Sequence, residues 1–472
     1  MTKSTVIVQR PAIYTSTVEL NFFNSFSLES SSNIPQKNMA SIGPPIDQST
    51  FDQIVKENIE DLDMEPEESV QDAIDSLTSQ KANMIFIVKE AIILDSEHPG
   101  FGKHKCLYLT EELGKLVESD SNLLNDEEKV KQIIEISKEL TQELSTDKLP
   151  KRYHSCKNGK LHMKLELIYF KIAETLSSDN STLNLELINS LLNLSINTFQ
   201  FQPDFVTRQT TTDLCRIMPA LEDENLLKIL KLISVMSKQH EENRTYFFHG
   251  GLFPNVGKLF ARDSLSKSQS IDTHNKILAQ LCTTIRNFTV DDDPRQTTCR
   301  AHDNARDLVN DEAALENLCK FLKNIDDNSY KLKKEVILTL SKLLVRNEFC
   351  LKAAEDNCGL LKLITENLEI CLKIDENSNN KEQGDTAASA VAGTETVSET
   401  VLLRPLLLLL KTMCGNDEVK HRVTQSENLI RNIVANIGKW MAVSSIVDAG
   451  LTCCHVLALR DHFNIFLIIS FP

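Results

Sequence analysis

The stretch IRNFTVDDDPRQTTCRAHDNARDLV holds the densest set of side chains that could do chemistry in this chain. Three consecutive aspartates, Asp291, Asp292 and Asp293, are followed by Cys299 and then His302. Carboxylate oxygens suit calcium or magnesium, and the gap between Cys299 and His302 suits two ligands of a zinc ion. The stretch therefore raises the hypothesis of a metal or acid–base site built from Asp291, Asp293 and His302.

A structural interpretation of the same residues is favoured. Pro294 prevents the preceding helix from continuing, and aspartates in such a break accept hydrogen bonds from the free amides of the next helix. Consecutive aspartates do not surround one ion as a calcium loop does, and no second close pair of zinc ligands is visible. We therefore predict no metal ligand and no catalytic residue here. A third interpretation is an insert, 291–306, in which the three aspartates and His302 contact a partner.

Composition excludes several classes of function. The chain has 472 residues, a net charge of −16 and 41% hydrophobic residues. An acidic surface repels phosphate backbones, so nucleic acid is not expected as a partner. The apolar run VLLRPLLLLL is too short to cross a membrane. No phosphate loop, dinucleotide fingerprint or nucleophile elbow appears, so we expect no cofactor and no enzyme activity.

The twelve cysteines are scattered, and none form a Cys-x-x-Cys pair. Scattered cysteines of this kind are typical of reduced, mostly buried thiols in a cytoplasmic or nuclear protein.

The chain is predicted to have four parts. Residues 1–46 are rich in Ser, Thr, Asn and Pro and are predicted to be disordered, with Met39 as the expected true start. Residues 47–104 are predicted to hold two amphipathic helices and a linker, and Pro66 suits the first turn of the second helix. Residues 105–463 are predicted to be a helical solenoid, and 464–472 to be a hydrophobic tail.

Internal repeats determine the predicted architecture. Asn287 precedes Asp292 by five residues, Lys342 precedes Asn347 by five, and each pair spans an apolar helix end and a polar break. A short helix follows each break, and a glycine or asparagine then suits a left-handed turn. The residues expected in such turns are Gly251, Gly359 and Asn428.

This unit of about 40–47 residues is interrupted at 291–306 and by a small, polar insert at 377–400. Repeats of three helices that shield one another predict an all-α, armadillo-type, right-handed α-solenoid with a long concave face.

The chain also resembles the armadillo repeat-containing protein six family. The stretches that carry the resemblance are TFDQIVKENIEDLDMEPEESVQDAIDSL, FTVDDDPR, AHDNA, LSKLLVRNEFC and GNDEVK, which together cover about residues 46–460. The resemblance implies an armadillo solenoid behind a helical N-terminal segment, and it supplies no catalytic residues. It also implies a solenoid that continues further, so we expect residues 464–472 to come from a truncated or misannotated gene.

One helical phase gives the candidate binding positions, which are Asn193, Asn287, Lys342, Lys411 and His455. In peptide-binding armadillo proteins an asparagine ladder holds the backbone of an extended ligand, and tryptophans beside it sandwich lysines. Only two of these five positions are asparagine, and the chain has one tryptophan, Trp440.

We therefore predict a non-enzymatic scaffold that binds a protein partner along its concave groove, with acidic or mixed segments favoured near the two lysines. An import-type adaptor for basic peptides is the alternative, and a metal-dependent enzyme at the acidic insert is the least favoured.

Overall fold

In the computed structural model, residues 46–459 are described apart from 63, 85–86, 88, 90–92, 94, 96, 119–122, 147–150, 153, 177–183, 201, 262–270, 327–328 and 374–396. The chain forms two compact units, one ending at Gly102 and one beginning at Lys103. The predictions for residues 1–45, including Met39, and for the tail 464–472 lie outside the described residues.

The N-terminal unit contains both helices expected from its sequence. They are α1, Gln48–Glu60, and α2, Pro66–Ser79, with Pro66 in the first turn. Phe51 and Val55 of α1 are fully buried with Ala73 of α2, so the apolar stripes of the two helices face each other.

The second unit is a series of helices whose apolar residues form one continuous core. The helices are α3 Lys105–Glu118, α4 Glu127–Thr146, α5 Leu161–Leu176, α6 Leu185–Phe199, α7 Arg208–Ile217, α8 Asp223–Ser237, α9 Glu241–His249, α10 Leu252–Ala261, α11 Ile271–Phe288, α12 Ala301–Asn310, α13 Ala314–Asn324, α14 Tyr330–Leu343, α15 Asn347–Ala354, α16 Leu360–Lys373, α17 Val397–Met413, α18 Asp417–Gln425, α19 Glu427–Lys439 and α20 Ser444–Ala458.

The most extensive helix packing is between the last helices of successive repeats. The helices α4, α6, α8, α11, α14, α17 and α20 each pack on the next, and we call this series layer A. Thr284 of α11 donates to the carbonyl of Leu230 in α8, and Asn287 donates to that of Ser234. Both partners advance in the same direction, so α8 and α11 are parallel. A second layer, layer B, includes α3, α5, α7, α10, α13, α16 and α19. The all-α, armadillo-type solenoid predicted from the sequence is confirmed.

Two glycines make the left-handed turns expected of them. Gly251 has φ 87° and Gly359 has φ 58°, a region in which a Cβ atom is strained. The expectation for Asn428 is wrong, because Asn428 lies inside α19 and the extended Ser426 makes the connection instead.

Both inserts are shorter in their described parts than the sequence suggests. The break after α11 is non-helical from 289 to 300, and α12 already begins at Ala301, inside the range 291–306. Helix α17 begins at Val397, so the last four residues of 377–400 are helical. Residues 377–396 lie outside the described part. Within the described residues, no helix combines the length and the apolar character needed to cross a bilayer.

Candidate functional site

Asp293, the last residue of the acidic triplet, joins the start of α9 to the loop that follows α11. Its buried carboxylate accepts hydrogen bonds from the backbone N–H of Glu241 (2.8 Å), which opens α9, and from the backbone N–H of Arg295 (3.0 Å). The Arg295 side chain donates two more, from Nε (2.9 Å) and Nη2 (3.2 Å). Arg295 also reaches Asp204 at 2.7 Å. Asp293 therefore caps α9, a helix 52 residues earlier in the chain, and the expectation that it caps the next helix, α12, is wrong.

The neighbouring Asp292 pairs with a fully buried arginine. Arg244, on α9, contacts the carboxylates of Asp292 and Glu241 and donates to the carbonyls of Ser237 (3.0 Å) and Val290 (2.9 Å). A buried guanidinium needs such partners because its charge cannot be removed by titration. The break after α11 is therefore fastened to α9 by charge.

This arrangement determines the protonation of Asp293. Burial opposes ionisation, but the hydrogen bonds from Arg295 and from the Glu241 amide outweigh it and lower the pKa of Asp293 to about 2. A carboxylate that is ionised and saturated in this way is a poor proton acceptor near neutral pH.

The other candidates for a metal or acid–base site differ from Asp293 in burial. Asp291 and His302 are exposed, whereas Asp293 is buried. In the described part of the chain, His, Cys, Asp and Glu side chains do not form any group of three or more that could hold a metal ion. Asp291 and His302 remain predicted partner contacts.

Several thiols are too deeply buried to serve as nucleophiles. Burial raises the pKa of Cys106, Cys156, Cys215, Cys282 and Cys414 to about 12. These thiols stay protonated at neutral pH, which suits core packing and not catalysis.

The asparagines of the predicted ladder use their amides inside the protein. Asn287, on α11, donates through Nδ2 to both the carbonyl and the hydroxyl of Ser234 on α8, each at 2.9 Å. Asn193, on α6, donates to Oδ1 of Asn189 at 3.1 Å. Both side chains are half-buried. The donors that a peptide backbone would need are therefore engaged between or along the helices of layer A.

The lysines at the equivalent helix positions differ from the asparagines in having no partner among the described residues. Lys342 on α14 is exposed and Lys411 on α17 is half-buried, and neither makes a hydrogen bond or an ion pair with any described residue. His455, on α20, is exposed. These three residues remain predicted contacts for a partner.

Sequence reasoning missed an arginine that links α11 and α14. Arg286 donates through Nη1 to the carbonyl of Glu335 (2.9 Å) and to Oγ1 of Thr339 (3.1 Å), and it forms an ion pair with the Glu335 carboxylate. Arg244 was missed for the same reason. Each arginine has partners more than forty residues away, as in the pair of Arg286 with Glu335, and no local spacing signals such a pair.

Comparison with known proteins identifies a matching family domain and relatives that cover most of the chain. Residues 45–104 match the family described as the armadillo repeat-containing protein 6 N-terminal domain. The chain is 26% identical to human Armadillo repeat-containing protein 6 over 423 residues, which are 89% of this chain and 75% of the human protein. It is 25% identical to the Drosophila melanogaster homolog over 428 residues, 88% of this chain and 77% of that one.

Among solved structures, the crystal structure of SYS-1 aligns with 75% of this chain and 63% of its own, at 12% identity and a TM-score of 0.49. The predicted resemblance is confirmed: the N-terminal segment matches the N-terminal domain of armadillo repeat-containing protein 6, and the chain is similar to proteins of that name over most of its length.

Proposed function

We propose that this protein is a non-enzymatic scaffold that binds a partner polypeptide along the exposed face of layer A. In an armadillo solenoid the last helices of successive repeats line the concave side, and their uncovered side chains form a continuous groove. Extended polypeptides fit such a groove because each repeat offers one row of contacts.

One observation carries the proposal. Lys342 and Lys411 occupy the same phase on the neighbouring helices α14 and α17, and neither is engaged by a described residue. A protein of net charge −16 has an excess of carboxylates with which these lysines could pair. Cations that lie beside each other without a counter-charge repel, which a bound partner of opposite charge would relieve.

The import-type adaptor receives less support. That function needs asparagine amides that are free to hold a peptide backbone, whereas the amides of Asn193 and Asn287 donate within the chain. It also needs aromatic cages for lysine side chains. The single tryptophan, Trp440, follows α19 in layer B.

The experiment is proximity labelling in cells with the wild-type chain and with a Lys342→Glu/Lys411→Glu double variant. We expect the variant to lose a defined subset of partners while its circular dichroism melting curve is unchanged.

A matched control is Lys320→Glu/Lys323→Glu, which reverses the same number of charges on α13 in layer B, where both lysines are exposed. The control should retain the full partner list. If the groove variant also retains it, the groove is not the binding surface.

A further inference from the structure

The exposed faces of α14 and α17 share one pattern that the ladder positions alone do not reveal. On α14 it is Lys334, Leu338 and Lys342, and on α17 it is Arg404, Leu408 and Lys411. Side chains three or four residues apart lie on one face of a helix, so each helix presents a leucine between two cations.

The two patterns lie level with each other. The side-chain amide of Asn416, which precedes α18, donates to the carbonyl of Asn347, which opens α15, across 69 positions at 3.3 Å. The same offset places Lys342 beside Lys411, and an offset of 70 places Leu338 beside Leu408. Four cations therefore frame two half-buried leucines, and we call this set the basic frame.

The dimensions of the basic frame follow from helix geometry. Lys334 and Lys342 are eight residues apart, or about 12 Å along the helix axis. Packed helices lie about 8–10 Å apart, which separates the cations of α14 from those of α17. An extended chain spans about 7–13 Å over two to four residues, so it can place carboxylates at both helices at once.

No residue in the described part of the chain neutralises the cations of the basic frame. None of Lys334, Lys342, Arg404 and Lys411 makes a hydrogen bond or ion pair with a described residue. The acid nearest in sequence, Glu335, is engaged by Arg286 of α11. The next helix of layer A, α20, carries the exposed Asp448 and His455. The basic frame therefore ends at α17.

We propose that the basic frame binds an extended acidic polypeptide in which glutamates or aspartates flank an apolar residue. This inference rests on the proposed function and specifies the chemistry of the partner. The flanking carboxylates pair with the four cations, and the apolar residue packs on Leu338 and Leu408. A nucleic acid fits less well, because it brings no apolar side chain for the leucines and the whole chain repels a polyphosphate.

The test is fluorescence polarisation with the full chain and two labelled synthetic peptides. In one peptide leucines alternate with pairs of glutamates, and in the other every glutamate is glutamine. We expect the glutamine peptide to bind about 10-fold more weakly or worse, since each lost charge pair weakens the complex. We also expect binding of the glutamate peptide to weaken as NaCl rises from about 50 to about 300 mM.

Variants locate the binding on the chain. Lys334→Glu/Arg404→Glu is expected to weaken binding of the glutamate peptide about 10-fold, and Lys320→Glu/Lys323→Glu on α13 to change it less than about twofold. Leu338→Ser is expected to weaken binding of both peptides about equally, because it removes apolar contact and no charge.

Three results would overturn the inference: equal binding of the two peptides, an equal loss in the α13 control, or preferential binding of a homopolymeric RNA. Its failure is distinguishable from failure of the proposed function. If the Lys342→Glu/Lys411→Glu chain loses cellular partners but the glutamate peptide does not bind, the groove function stands and the acidic chemistry is wrong.

Discussion

The break after α11 and the basic frame on α14 and α17 are both rich in charged side chains, but their charges have different partners. In the break, Asp292 contacts Arg244, and Asp293 accepts from Arg295 and from the amide of Glu241. In the basic frame, none of the four cations has such a partner among the described residues. The first region uses its charge to hold α9 against the break, whereas no described residue pairs with the cations of the second.

This difference teaches how to weigh a charged motif. Three consecutive aspartates suggest a metal or acid–base site in a sequence. Two of them, however, form ion pairs with arginines of the same chain. The cations of the basic frame form no recognisable motif in the sequence. Only the packing of α14 on α17 brings them together. The chemical availability of a charge depends on its surroundings more than on its residue type.

The largest expected effect comes from removing the buried arginine of the break. Arg244→Met removes the guanidinium that pairs with the carboxylates of Asp292 and Glu241 and that donates to two backbone carbonyls. Loss of one partner from a buried charge cluster costs about 3–5 kcal/mol of the free energy of unfolding. Urea denaturation followed by far-UV circular dichroism measures this.

The matched control for Arg244 is Arg346→Met. Arg346 is exposed and pairs with the exposed Glu348 at 3.6 Å. The pair lies in water, so its loss should change the free energy of unfolding by less than about 0.5 kcal/mol. Equal stability of the Arg244 variant and the control would show that the charges of the break do not fasten the helices.

A second, smaller effect concerns pH. The pKa of Asp293 is about 2 in the folded chain and about 3.9 in an unfolded one. A lowered folded-state pKa stabilises the fold above the unfolded value, and this contribution is lost as pH falls from about 4 to about 2. Asp293→Asn should therefore lower the free energy of unfolding by about 2 kcal/mol at pH 7 and make little difference near pH 2.

Denaturation midpoints at pH 7 and near pH 2 measure the effect of Asp293→Asn. Asp291→Asn is its control, because Asp291 is exposed and its substitution should leave the midpoint nearly unchanged at both pH values. If Asp293→Asn lowered the stability as much at pH 2 as at pH 7, the ionised Asp293 carboxylate would not be the source of the stabilisation.

The sequence was sufficient for the fold because local signals repeat. Gly251 and Gly359 could be assigned to left-handed turns from their place after a short helix, and both have positive φ. Asn428 occupies the same place but lies inside α19, because Ser426 adopts an extended conformation and makes the connection without a left-handed residue. A position in a repeat indicates that a turn is needed and leaves its type open.

The candidate site was less predictable because it depends on distant pairs. The helical phase placed Asn287 and Lys342 at equivalent positions, but the amide of Asn287 is engaged by Ser234, 53 residues earlier in the chain. Arg286 likewise reaches Glu335 on the next helix of layer A. Periodicity predicts which face of a helix a side chain occupies, whereas the neighbour on that face is set by packing.

The smallest expected effect tests whether Asn287 and Lys342, which occupy equivalent helix positions, differ in their contacts. Asn287→Ala removes two hydrogen bonds to Ser234 and should lower the free energy of unfolding by about 1 kcal/mol. Lys342→Ala, at the equivalent position of α14, loses no bond to a described residue and should change it by less than about 0.5 kcal/mol.

For binding of the glutamate peptide we expect the larger loss from Lys342→Ala and the smaller from Asn287→Ala, because Lys342 supplies a charge that Asn287 does not. Urea midpoints and peptide affinities of the two variants, measured side by side, separate the roles. If Asn287→Ala weakened peptide binding more than Lys342→Ala did, the asparagine would be the ligand-binding residue. The hydrogen bonds to Ser234 would then have to be exchanged for bonds to the ligand.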